Sequence, residues 1–106
     1  EGDSTAELVY RTASDLAQST GVKHLTTGTG NDNDQSVSGT LHLFDPSSTT
    51  FVKHFIATNN EAHEGDGSSQ SFAAGYCNVT AAIDGVQFSF SSGNIDSGTI
   101  KMYGVT

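Results

Sequence analysis

The sequence predicts an all-β fold, an antiparallel β-sandwich of six to seven strands, and three observations predict it. Apolar residues alternate with polar ones over short stretches, as strands with one buried and one wet face require. Helical periodicity is almost absent, because Gly, Ser or Thr interrupts every apolar pattern at three- and four-residue spacing, and residues 13–19 allow one turn at most. Turn-forming residues recur at the spacing of a sandwich or barrel, and no strand is followed by a crossover helix, so antiparallel pairing is favoured. A chain of 106 residues suits one domain.

Residues 7–12 and 21–27 form two weak strand candidates separated by small polar residues. Residues 37–43 are clearer: Val37, Leu41 and Leu43 alternate against polar neighbours, and Asp45-Pro46 ends the strand because proline cannot donate to a ladder. In residues 51–58, Phe51, Phe55 and Ala57 oppose Val52, His54 and Ile56, which predicts a strand covered on both sides, central or at an interface. Residues 59–70 are polar, acidic and Gly-bearing and read as a surface loop. Phe72, Ala74 and Tyr76 alternate in the next strand and Val86, Phe88 and Phe90 in the one after, both rows expected to point inward. Gly93 and Asn94 can take the positive φ values of a tight reversal, and residues 99–105 form the last strand.

Composition narrows the function. Hydrophobic residues are 34% of the chain, below the roughly 45–50% usual for a globular domain, so stability is expected to lean on neighbours or on oligomerisation. The formal net charge is -8, from 12 acids against 4 bases, which would repel a nucleic-acid backbone and excludes that class of partner. No apolar run suits a membrane span or a signal peptide, so a soluble domain without membrane insertion is expected. Because the chain opens with Glu1 rather than Met, a fragment of a longer polypeptide is expected. Cys77 is the sole cysteine, which rules out an intrachain disulfide and a cysteine-ligated zinc site; it is expected to be a small buried hydrophobe.

Few residues invite chemistry. His24, His42, His54 and His63 have no metal-ligand spacing; His42 and His54 fall on strands, as solvent-facing or satisfied sheet histidines, with a cross-strand pair left open. The acidic stretch from Glu61 to Asp66 concentrates oxygen ligands suited to calcium without the ordered alternation of an EF-hand loop, and no metal or cofactor is expected. Asn31-Asp32-Asn33-Asp34 reads as a solvated turn. Asn78-Val79-Thr80 matches the glycosylation acceptor pattern by chance, and Thr26-Thr27-Gly28-Thr29-Gly30 lacks the lysine and helix of a phosphate loop. There is no Gly-x-Ser-x-Gly elbow, Cys77 has no base nearby in sequence, and nearly every acid sits in a predicted turn, so no catalytic residue is expected. A carboxylate-pair glycosidase is the least favoured reading.

Two strings carry a resemblance. VSGTLHLFDPSSTTFVKHF, residues 37–55, resembles a recurrent jelly-roll-like domain of tail-fibre, tail-spike and other structural proteins of tailed phages, many of them marine. Residues 82–105, with the string SSGNI-x-SGT-x-x-x-YG, are similar to that family's C-terminal hairpin. The resemblance implies a structural hairpin of Phe88, Phe90, Gly93, Asn94, Gly98, Ile100, Met102, Tyr103 and Gly104, with Phe88, Phe90, Ile100 and Met102 packed on one core. Members of the family carry further strands upstream, so the resemblance implies a sandwich completed by another chain, a shortened variant or a cut inside a longer domain.

The expected function is therefore a non-enzymatic virion module, in a tail fibre or appendage or decorating a capsid. It would assemble as a trimer or multi-copy array with other virion proteins and would also attach to host-surface glycans, with Tyr10, Tyr76 or Tyr103 as candidate sugar contacts. The alternative is a bacterial cell-surface or extracellular domain that binds carbohydrate or forms filaments.

Overall fold

The structure is a computed structural model that describes residues 6–105; Glu1, which bears on the fragment expectation, lies outside them. Among the described residues there are three strands and one short turn of 3-10 helix: Thr12–Ser14, then β1 (Val37–Leu43), β2 (Lys53–Ala62) and β3 (Ser68–Cys77). The strands form one antiparallel sheet in the order β1-β2-β3, with Leu41 opposite Ala57 and Ala57 opposite Ala73.

β1 coincides with the sequence reading. Leu41 and Leu43 are half-buried, and the strand stops before Asp45, whose φ of 45° reverses the chain while the Ser48 amide donates to the Asp45 carbonyl at 3.2 Å. Of the two places left open for it, β2 takes the central one, and it is longer than residues 51–58. The expected 59–70 loop shrinks to a turn because strand pairing runs on to Ala62 opposite Ser68. In that turn the Asp66 amide donates to the His63 carbonyl at 3.0 Å and the His63 amide to the Gly67 carbonyl at 2.8 Å. Asp66 takes φ 59°, left-handed backbone that Asp tolerates better than most residues, so a type I turn with a bulge closes the hairpin.

Directly paired residues share a face of the sheet. The inner face carries Leu41, Leu43, Phe55, Ala57, Ala73 and Gly75. Its cover is irregular chain, not a second sheet: residues 25–30 at one end, and residues 46–52 and 79–83 at the other. The amide of Ile83 donates to the Pro46 carbonyl at 2.8 Å, and Thr29 forms an isolated bridge with His63. Ala57 is the fully buried hydrophobic residue at the centre.

Several expectations are corrected. Among the described residues three strands stand where six to seven were expected, and residues 7–12 and 21–27 are not strands. β2 is covered on one side only, since Ile56 is exposed. Phe72, Ala74 and Tyr76 point outward, Phe72 at 71% exposure and Tyr76 at 60%. The reason lies across the sheet: the Phe55 ring occupies the space over Gly75, where an added Cβ would come within 2.9 Å of it, so the small-residue parity of β3 must face inward. Cys77 is exposed at the end of β3 instead of buried. Residues 84–105 contain no strand, and among the described residues they make no backbone hydrogen bond to the rest of the chain; Phe88 and Phe90 are 39% and 40% exposed, and Ile100, Met102 and Tyr103 more so. Gly93 does take the positive φ foreseen for it, 75°.

Candidate functional site

The inner face of β2 carries two charged side chains that are fully buried, Lys53 at one end and Glu61 at the other. The Lys53 ammonium donates to four carbonyls, Ser48 at 2.6 Å, Thr80 at 2.9 Å, Phe51 at 3.0 Å and Val79 at 3.3 Å. With three protons for four acceptors, the longest contact is the weakest. The result is a clasp that binds the β1–β2 connection to the chain leaving β3.

Glu61 is held differently. Its Oε2 accepts from the Thr29 hydroxyl at 2.6 Å, and Thr29 lies 3.2 Å from the Thr26 hydroxyl, while Oε1 is buried with no hydrogen-bond partner. Nearby, the His63 ring fills the space over Gly28, and the Gln35 amide donates to the His63 carbonyl at 3.3 Å. Sequence reading put the acids in turns and missed both buried charges. The signal was present: Lys53 and Glu61 share the parity of Phe55 and Ala57, the parity that faces inward.

The other candidates separate. In the acidic stretch, Glu61 turns into the inner face while Glu64 and Asp66 are exposed on the hairpin turn, so its oxygens diverge. Among the described residues no group of three His, Cys, Asp or Glu side chains is placed to hold a metal ion. A shallow recess of about 420 Å³ beside that turn is lined by Asp34, Gln35, Ala62, His63, Asp66 and Gly67. His42 stands opposite Ile56, not His54, so the two histidines are not a cross-strand pair.

What the sheet does bring together is an outward aromatic surface. His54 lies across from Tyr76 with ring centroids 5.9 Å apart, His42 stacks beside Phe44 at 6.5 Å, and Ile56, Phe72 and Ala74 complete the exposed face. No acid lies on it. Its flanks are open as well: among the described residues, no backbone hydrogen bond reaches the outer edge of β1 or of β3 between residues 68 and 76. Both strands lack Lys, Arg, Asp, Glu and Pro, the residues that usually blunt such edges. The Tyr10 hydroxyl donates to Asp15 at 2.9 Å, and Tyr103 is exposed on the C-terminal segment.

No helix among the described residues is long and apolar enough to cross a membrane. Comparison with protein-family models, with curated proteins and with solved structures finds no match to this chain.

Proposed function

We propose that the chain is a non-enzymatic structural module of a phage virion, part of a tail fibre or appendage or of a capsid decoration, that works by assembling with copies of itself and with other virion proteins. The observation that carries the assembly half of this reading is uncovered surface. The accessible area is 8957 Å², whereas a compact monomer of 11.0 kDa exposes about 5,600 Å² by the usual scaling. The excess of about 3,300 Å² exceeds the roughly 800 Å² that each partner buries in a standard interface. The virion half rests on the likeness of residues 37–55 and 82–105 to phage fibre domains. Native mass spectrometry tests the reading: closed or growing multimers are expected at micromolar concentration, and a stable monomer would sink it.

The aromatic outer face favours a second reading, a carbohydrate-binding domain at a bacterial surface, because exposed aromatic rings beside threonine hydroxyls suit sugar rings. A glycan array tests for sugar binding. A module that serves assembly alone binds no sugar, whereas a sugar-binding face loses its ligand when Tyr76→Ala removes the ring.

A further inference from the structure

Resting on the assembly reading, we infer that residues 86–90 of one copy add as a strand to the free edge of β3 in a neighbouring copy. Two sets of unpaired groups motivate this. Over residues 68–76 the outer edge of β3 has no backbone partner among the described residues, and residues 84–105 have no backbone partner either. Backbone N–H and C=O groups shielded from water require partners, so a chain that packs this segment against anything must supply a ladder for it.

The side chains fit row to row. Val86, Phe88 and Phe90 repeat at i, i+2 and i+4, the same spacing as Phe72, Ala74 and Tyr76 on the outer face of β3. An added strand with its apolar row on that face sets aromatic and branched side chains beside Phe72 and Tyr76, the cross-strand pairing that stabilises sheets. Both rows are uncharged, so two copies that each carry a net charge of -8 meet where neither places an acid. β1 is a poorer acceptor, since it offers seven residues and its outward row is Ser38, Thr40 and His42.

Donor and acceptor are different surfaces of one copy, so the contact is head-to-tail. It closes into a ring, such as a trimer, if the rotation permits, and otherwise grows as a filament.

Complementation tests it. Full-length Phe88→Asp/Phe90→Asp keeps the acceptor edge and loses the donor; Phe72→Asp/Tyr76→Asp keeps the donor and loses the acceptor. All four side chains are exposed, so both variants retain the sheet, which far-UV circular dichroism checks. By native mass spectrometry each variant alone is expected to be monomeric, with apparent association at least about tenfold weaker than the parent chain. Mixed, the two should give a 1:1 complex and nothing larger, with hydrogen exchange slowed at residues 70–76. A multimeric parent whose donor-deficient variant keeps the same mass, or two variants that fail to combine, overturns the strand addition and leaves the assembly reading standing. A monomeric parent chain overturns both.

Discussion

Lys53 is held by oxygen atoms alone, and those oxygens belong to two chain segments that no strand joins. Removing the ammonium takes the shared donor from four part-buried carbonyl contacts, and an acceptor left unmade away from water is costly. Lys53→Met should therefore lower unfolding stability by about 3 kcal/mol in urea titration and speed hydrogen exchange in residues 46–52 and 79–83. At the other end, Thr29 supplies the one hydrogen bond that the Glu61 carboxylate receives among the described residues. Thr29→Val should destabilise by about 2 kcal/mol, and a double-mutant cycle with Glu61→Gln should show coupling, because the amide tolerates a lost partner better than a carboxylate does. At the surface, the Asp15 carboxylate accepts the Tyr10 hydroxyl proton and, with its negative charge, raises the Tyr10 pKa above the ordinary phenol value; slight desolvation adds to this. A pKa raised by folding stabilises the folded state below the unfolded value, and that contribution is lost as pH rises through the folded one. The Tyr10 ring followed by NMR should titrate at lower pH in Asp15→Asn than in the parent chain.

Among the strands, glycine positions show how tightly the sheet is threaded. A Cβ on Gly39 would fall 2.5 Å from the Thr58 carbonyl oxygen, a backbone atom that cannot swing aside, whereas a Cβ on Gly75 meets the edge of the Phe55 ring at 2.9 Å. Gly39→Ala should thus cost about 2–3 kcal/mol and Gly75→Ala less, measured side by side by urea denaturation. The same contrast explains what the sequence could and could not tell. β1 was legible to its ends because one parity is apolar and Asp45-Pro46 stops it. β3 was legible as a strand but not in its facing, because both parities carry apolar atoms and the choice is made by Phe55 on the neighbouring strand. The buried charges were hidden for a related reason: Lys53 lay inside the expected strand 51–58 and Glu61 in the expected loop 59–70, and neither shows its burial until residues 25–30 and 46–52 are folded over them. Residues 84–105 carry the alternation of strands without a ladder, since alternation reports that a face is to be covered and is silent on which chain covers it.

For the molecule as a whole, thin apolar content and large exposed area have one thermodynamic consequence. With Ala57 as the buried hydrophobic residue among those described, the isolated chain has little interior to oppose conformational entropy, so the proposed association would be linked to folding. The thermal midpoint should rise with protein concentration, which differential scanning calorimetry over a hundredfold dilution series would detect. Salt then tests what kind of contact the proposed assembly uses. Each carries a net charge of -8, and at about 0.01 M salt, where the screening length is roughly 30 Å, approaching copies repel one another across their whole surfaces. At about 0.15 M the screening length falls to roughly 8 Å and that repulsion fades, while an uncharged seam of aromatic rows and backbone ladders loses nothing. The association constant should therefore rise with ionic strength in sedimentation velocity. A fall would mean that complementary charges hold the copies together, an arrangement incompatible with a contact built on Phe72, Tyr76, Phe88 and Phe90.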